Sequence, residues 1–127
     1  MEKKIVVTQH DYMLISSFIK NNADILSPYT FSRLSEELAK AKVVDEEQKP
    51  MKGIIKLYSE TELWEKTLNM HLKVKFVPPG LADAKQNRIS IFSPLGMALI
   101  GYQEGDLVEW ELHGIMRQYQ VLRVTNI

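Results

Sequence analysis

The sequence contains no cysteine. This absence excludes a disulfide framework and any metal site built on thiolate ligands. It fits the reducing environment of the cytoplasm, where we expect the protein to be located. The chain has 127 residues, of which 45% are hydrophobic and 25% charged. That composition is typical of a globular protein, and the length suits one ordinary domain or a small domain with an appendage.

Long hydrophobic runs and an excess of charge of either sign are also missing. The apolar stretch at 5–7 is broken by Thr8 and is too short for a signal-peptide core. No later segment approaches the ~20 apolar residues that cross a bilayer, so we expect no membrane association. Sixteen basic residues balance sixteen acidic ones. No basic surplus is therefore available for phosphates, and we expect no direct binding of nucleic acid.

Motifs that carry catalysis or bind cofactors are absent from the sequence. There is no Walker loop, no dinucleotide-binding glycine pattern and no Gly-x-Ser-x-Gly elbow. His10, His71 and His113 lack the spacing of metal ligands and are predicted to lie on the surface. The acidic cluster at 45–47 could hold a cation weakly, but such runs are more typical of solvated connectors. The sequence predicts no catalytic residue, no metal site and no cofactor.

Two amphipathic helices are predicted at the N-terminal end. Thr8 and Asp11 form a capping pair at the first helix start, and Ser27 with Pro28 begins the second. Helices of roughly 13–16 residues, at ~1.5 Å per residue, reach about 20–24 Å. We therefore expect a short antiparallel hairpin over 9–43. The apolar stripe of the second helix consists of Phe31, Leu34, Leu38 and Ala41. Its charged residues are predicted to face water, and they are Glu36, Glu37, Lys40 and Lys42.

The hydrophobic period changes from 3.6 to two after the polar segment 45–50, which we interpret as a linker. The clearest strand alternates over 68–76, and we expect the stretches at 55–57 and 63–64 to be its neighbours. A Trp-Glu-Leu strand and a final strand over 118–124 follow. The alternation slips within the final strand, which indicates a β-bulge.

The predicted order of elements is helix, helix and then a mostly antiparallel sheet interrupted by one short helix. This order is an α+β architecture. Two parts are predicted, a helical hairpin at 1–50 and a sheet domain at 51–127. The sequence carries no signal for an oligomeric state.

The short helix is predicted within the segment ISIFSPLGMALIGYQEGD at 89–106. Ser93 is a preferred N-cap, and Pro94 suits the first helical position. Leu95, Ala98 and Leu99 recur at helical spacing and are expected to pack on the sheet. Gly101 stands where a helix commonly ends in a left-handed residue.

This segment resembles the C-terminal domain of the Gre transcript-cleavage factors, and still more their relative Rnk, the regulator of nucleoside diphosphate kinase. The resemblance covers most of 53–125 as a pattern and is closest over 89–112. It implies a shortened antiparallel coiled coil followed by an FKBP-like antiparallel sheet domain. It also implies that the protein binds bacterial RNA polymerase. A turn of His113, Gly114 and Ile115 replaces the Pro-Gly-Gly of these relatives.

The same resemblance suggests where the polymerase would bind. Ser93, Pro94, Leu95 and Gly96 would lie near the docking surface, with Ser93, Pro94 and Gly96 as exposed members. In Gre factors, carboxylates at the hairpin tip help to hold a catalytic Mg²⁺ in the polymerase. Here Asp24 is the single acidic residue between 21 and 29. We therefore expect a regulator that docks near the secondary channel and competes with cleavage factors without being an enzyme.

Two alternatives remain open at this stage. One is a prolyl isomerase on an FKBP-like sheet, which needs a concave pocket lined by aromatic side chains. The other is an adaptor for a different protein, including nucleoside diphosphate kinase. The aromatic residues available for such a pocket can also be explained as core or cross-strand residues. They are Tyr58, Trp64, Phe76, Phe92, Trp110 and Tyr119.

Overall fold

The computed structural model describes residues 5–45, 53–112 and 114–126. Its N-terminal part is the predicted hairpin of α1 (Gln9–Asn22) and α2 (Pro28–Lys40). The Oγ1 of Thr8 accepts a hydrogen bond from the Asp11 N–H at 3.0 Å, and the Oγ of Ser27 accepts one from Thr30 at 3.1 Å. Both predicted N-caps are confirmed. Helices of 14 and 13 residues give arms of about 20 Å.

The buried face of the second helix agrees only in part with the face that its pattern predicts. Leu34 and Leu38 are buried as expected, but Phe31 is 38% exposed. Glu37 was predicted to face water, and this prediction is wrong, because its side chain is only 12% exposed. It faces the C-terminal part of the chain, where the hydroxyl of Tyr102 donates a hydrogen bond to it.

A two-stranded parallel sheet joins the two ends of the hairpin, and the hydrophobic pattern did not predict it. Its strands are β1 (Val6–Thr8) and β2 (Lys42–Val44). The N–H of Val6 donates to the carbonyl of Gly101 at 3.0 Å. Gly101 has a φ of +88°, as expected, and a Cβ at this position would lie 2.7 Å from that of Ile5. The glycine therefore allows β1 to approach the C-terminal part closely.

The C-terminal part is built on a five-stranded sheet in the order β5-β4-β3-β7-β6. Neighbouring strands are antiparallel except β4 and β5, which are parallel. Two short 3₁₀ turns lie in the connection that returns the chain for this parallel pairing. The α+β class is confirmed. The strands are β3 (Glu60–Glu65), β4 (Met70–Val77), β5 (Arg88–Ser90), β6 (Leu107–Leu112) and β7 (Ile115–Thr125).

Details of the strands agree with the sequence in part. The predicted bulge is confirmed, because Glu62 pairs with Arg123 whereas Leu63 pairs with Val121. Residues 63–64 lie in β3, next to β4, as predicted. The stretch at 55–57 is not a strand neighbour of β4, and that prediction is wrong. Its Ile55 N–H instead donates to the carbonyl of Tyr102 at 2.8 Å, which ties the segment to the chain after the short helix.

The short helix α3 (Pro94–Leu99) fills the centre of the fold. Ala98 and Leu99 are completely buried, and Leu95 is half-buried. They belong to one hydrophobic core that also contains Ile15 and Leu34 of the hairpin. The division into 1–50 and 51–127 stays a prediction, and the continuous core indicates that the two parts stabilise each other. Residues 46–50 of the linker predicted at 45–50 lie outside the described residues, as does His113.

Replacing Ala98 with glutamate should destabilise the protein by at least about 3 kcal/mol, because an unpaired carboxylate would have to lose its water inside the core. Urea denaturation of the full chain measures this change. Ala84→Glu is the matched control, since Ala84 is exposed. Equal stability of the two variants would contradict the burial of α3.

Candidate partner-binding site at the hairpin–sheet junction

A tight turn before α3 positions the segment that the sequence singles out. The Ser93 N–H donates to the carbonyl of Ser90 at 2.9 Å, and the Phe92 N–H donates to the Ser90 Oγ at 3.1 Å. The Oγ of Ser93 accepts from the Gly96 N–H at 3.1 Å, which confirms Ser93 as the N-cap. Since this oxygen is engaged as a cap and no Gly-x-Ser-x-Gly elbow surrounds it, the geometry gives no indication of a nucleophile.

The four predicted contact residues differ in exposure. Pro94 is exposed, Ser93 and Leu95 are half-buried, and Gly96 is buried. The expectation that Gly96 is an exposed member of the surface is therefore wrong. A Cβ at Gly96 would lie 2.4 Å from the carbonyl oxygen of Ile91. Its role is to let α3 pack directly on the preceding backbone.

The hairpin packs against this segment. The ring of Phe18 stacks on that of Phe92, with a centroid distance of 4.9 Å and an interplanar angle of 8°. Beside the stack lies an apolar pocket of about 120 Å³ between the hairpin and the sheet. Pro94 stands on its rim, and Leu26 from the loop between the helices contributes to the same lining. The other lining residues are Phe18, Thr30, Phe92, Met97 and Trp110.

A second set of contacts attaches α2 to β6 around the buried ring of Trp110. The guanidinium of Arg33 lies 5.0 Å from the ring centroid, and Tyr29 meets the ring edge-on at 5.9 Å. Arg33 also donates to the hydroxyl of Tyr29 at 2.8 Å and pairs with Glu37 at 3.5 Å. The hydroxyl of Tyr102 completes this network by donating to Glu37.

Burial shifts the pKa values of two groups in this network. It raises the pKa of the Glu37 carboxyl, although hydrogen bonds from Tyr102 and Arg33 offset part of the effect. Burial and the adjacent carboxylate also raise the pKa of Tyr102, which keeps its hydroxyl protonated as a donor. The hairpin is thus attached to the C-terminal part by the hydrogen bond from Tyr102 to Glu37 and by the contact of Arg33 with Trp110, as well as by aromatic contacts.

The hairpin tip carries little charge. Asp24 is exposed in the turn after α1, and it is the only acidic residue between 21 and 29. Because Leu26 and Pro94 line the same pocket, the loop that bears Asp24 lies beside α3. The structure therefore brings the predicted tip loop and the predicted docking segment to the same end of the molecule.

Comparison with known proteins assigns this arrangement to a family. A family model described as "Transcription elongation factor, GreA/GreB, C-term" matches residues 49–126. The chain belongs to the GreA/GreB family. The superfamily predicted from the 89–106 segment is thereby confirmed, whereas the closer likeness to Rnk stays a prediction.

Curated GreA proteins are similar over most of this chain. GreA from Chelativorans sp. is 35% identical over 102 residues, which are 80% of this chain and 64% of the relative. GreA from Christiangramia forsetii is 29% identical over 93 residues, which are 73% of this chain and 58% of the relative. The chain therefore spans about six tenths of the length of these curated GreA proteins.

Solved structures of the family have the same fold. The GreA/GreB factor from Nitrosomonas europaea is 27% identical and superposes with a TM-score of 0.71, over 97% of this chain and 100% of that one. Gfh1 from Thermus aquaticus is 18% identical with a TM-score of 0.52, over 98% of this chain and all of its own. The second likeness concerns the fold alone.

The other candidate sites from the sequence do not come together in this GreA/GreB-family chain. His10 lies 3.6 Å from Asp11, and His71 lies 3.6 Å from Glu62 on a different surface. Within residues 5–45, 53–112 and 114–126, no group of three His, Asp or Glu side chains could hold a metal ion. No helix in these ranges has the length and apolarity to span a membrane.

The aromatic residues considered for an isomerase pocket are dispersed as well. Of the six, only Phe92 and Trp110 line the pocket beside α3. Phe76 and Tyr119 belong to the core, and Tyr58 is 47% exposed. Trp64 pairs with His71 across β3 and β4. They do not form the single concave site that the isomerase alternative needs.

Sequence reasoning missed Phe18, Arg33 and Glu37 as residues of the site. Phe18 lies in a helix that was predicted only as amphipathic, and Glu37 was interpreted only as a surface charge. The one signal was the i, i+4 spacing of Arg33 and Glu37, which is common on exposed helices and therefore weak. Their roles depend on Phe92, Trp110 and Tyr102, respectively, each more than 60 residues away along the chain.

The raised pKa of Glu37 predicts a pH-dependent contribution to stability. The folded protein binds the Glu37 proton more tightly than the unfolded chain, so this contribution is present at low pH and is lost as the pH rises through the folded-state pKa. We expect the wild type to gain stability relative to Glu37→Gln as the pH falls from neutrality towards the ordinary value of 4.5.

Denaturation of both proteins in urea at several pH values measures this difference. Glu36→Gln is the matched control, because the Glu36 side chain is 58% exposed on the same helix. If Glu37→Gln and Glu36→Gln differ from the wild type by the same amount at every pH, the burial of Glu37 against Tyr102 is contradicted.

Proposed function

We propose that this chain is a non-catalytic regulator of transcription that binds bacterial RNA polymerase, in the manner of the Rnk branch of its superfamily. Membership of the GreA/GreB family supports polymerase as the partner. In this proposal the protein acts in the cytoplasm, docks near the secondary channel and makes no direct contact with nucleic acid.

The observation that carries the non-catalytic role is the composition and position of the hairpin tip. Recruiting a second divalent cation to an active site requires several oxygen ligands at short range. The turn offers only the carboxylate of Asp24. Helices of 14 and 13 residues reach about 20 Å, and the tip loop lies beside α3. These features favour occupancy of the polymerase without stimulation of cleavage.

The docking surface in this proposal is the start of α3. Pro94 is exposed on the rim of an apolar pocket, and the half-buried Ser93 and Leu95 flank it. Gly96 contributes by fixing the close packing of α3 on the backbone of Ile91. A factor that uses this surface would compete with cleavage factors that dock through the corresponding segment.

Purified protein mixed with backtracked elongation complexes should bind polymerase and leave transcript cleavage at its intrinsic rate. Added with an authentic cleavage factor, it should slow cleavage in proportion to its own occupancy. Asp24→Asn should not change this inhibition, because docking does not depend on the tip carboxylate. Cleavage gels and labelled-protein anisotropy measure the two effects.

A pair of proline variants separates docking from folding. Pro94→Glu should weaken polymerase binding by at least about tenfold, in the range of a central contact residue. Pro79→Glu is the control, since Pro79 is also an exposed proline in the first turn of a short helix. Strong cleavage by the wild type that Asp24→Asn abolishes would overturn the non-catalytic role. Absence of polymerase binding would instead favour an adaptor for another protein.

A further inference from the structure

Strand β6 is an open edge of the main sheet. It pairs with β7 on one side and with no strand on the other in the described part of the chain. The opposite edge, β5, has three residues and packs against the 3₁₀ turn that precedes it. β6 has six residues, LVEWEL, and contains neither proline nor glycine. It therefore has the length and backbone freedom to accept another strand.

The hydrogen-bond pattern leaves alternate backbone groups of β6 available. The Val121 N–H donates to the carbonyl of Asp106 at 2.9 Å, and the register continues with Leu107 opposite Gln120. Since bonded pairs alternate along an antiparallel ladder, the N–H and C=O groups of Leu107, Glu109 and Glu111 point away from β7. Across the described residues, no hydrogen bond reaches these outward groups.

A groove runs along this edge, with α2 as its second wall. Its volume is about 340 Å³. An extended segment added to β6 would direct one row of side chains into the groove and the other row onto the outer face of the sheet. The groove is lined by Arg33, Glu36, Glu37 and Lys40 on α2, and by Tyr102, Leu107, Val108 and Glu109 opposite them.

The charges on β6 select the kind of segment that can pair with it. Glu109 and Glu111 alternate with the buried Trp110 and so share the outer face. The Cβ atoms of directly opposite residues on an added strand would lie about 4.5–5.5 Å from those of Glu109 and Glu111. Basic residues are favourable at that distance and acidic ones are not. A second copy of β6 paired antiparallel about its centre would place Glu109 opposite itself or opposite Glu111. Self-pairing is therefore disfavoured.

We propose that the β6 edge and the adjoining face of α2 form a groove that binds an extended segment of a partner protein, in which basic and apolar residues alternate, as a sixth strand of the sheet. Main-chain hydrogen bonds to Leu107, Glu109 and Glu111 hold the segment. The two glutamates select its basic row, and Val108 and Tyr102 receive its apolar row. This groove is distinct from the start of α3.

The test uses the ¹⁵N-labelled full chain and a capped hexapeptide of alternating Lys and Val as the probe. Binding should slow hydrogen exchange at the amides of Leu107, Glu109 and Glu111 and shift the resonances of Tyr102. The matched Glu-Val hexapeptide should not bind. Glu109→Lys combined with Glu111→Lys should reverse this preference, so that the Glu-Val peptide binds and the Lys-Val peptide does not.

N-methylated probes test strand addition itself. Methylating every second amide of the Lys-Val peptide gives two peptides, one with its β6-facing amides blocked and one with its outward amides blocked. The peptide with its β6-facing amides blocked should lose at least about tenfold in affinity, the value of two or three main-chain hydrogen bonds. The peptide with its outward amides blocked should keep its affinity. Equal affinity of both, or absence of protection by the Lys-Val peptide at its solubility limit, would overturn the proposal. Protected β6 amides in a free protein that is dimeric by mass would also overturn it, in favour of a second copy.

Discussion

The packing of the hairpin on the sheet determines how the rest of this structure is arranged. The stack of Phe18 on Phe92 fixes α1 beside the turn that leads into α3. Arg33 and Tyr29 fix α2 along Trp110 of β6. Without these contacts, the apolar pocket at Pro94 and the groove beside β6 would each lose one wall. Two surfaces of different chemistry therefore depend on the same interface.

This interface combines apolar burial with one half-buried charged pair on α2, and the two have different physical consequences. Aromatic stacking is insensitive to pH and salt, whereas the Arg33–Glu37 pair needs the hydrogen bond from Tyr102 to offset the burial of its carboxylate. This half-buried network is geometrically demanding, because Arg33, Glu37 and Tyr102 satisfy one another's hydrogen bonds only in one arrangement. It favours a single orientation of the hairpin over a range of orientations.

Much of the fold was predictable from local patterns. Thr8, Ser27 and Ser93 identify three helix starts because N-cap chemistry is contained within four residues. The alternation around Trp110 and the slip near Leu122 identify a strand and its bulge for the same reason. The parallel pairing of β1 with β2 and the burial of Glu37 were not predictable. Both depend on contacts between segments far apart in sequence, which leave no periodic signal.

The candidate site was likewise predictable from local patterns only in part. The family-like motif in the 89–106 segment predicted α3 and the exposure of Pro94. Its prediction that Gly96 is exposed was wrong. A glycine at negative φ can be required by a close backbone approach as well as by an unusual turn, and only the 2.4 Å distance to the Ile91 carbonyl distinguishes the two. The regulatory role proposed for this GreA/GreB-family chain likewise depends on where the short hairpin lies, which composition alone does not indicate.

A double-mutant cycle on Phe18 and Phe92 tests this packing most directly. Urea denaturation of the wild type, Phe18→Ala, Phe92→Ala and the double variant gives the coupling free energy between the two rings. A stacked pair predicts a favourable coupling of about 0.5–1.5 kcal/mol. Additive effects, with no coupling between the two positions, would contradict a hairpin that rests on the sheet through these rings.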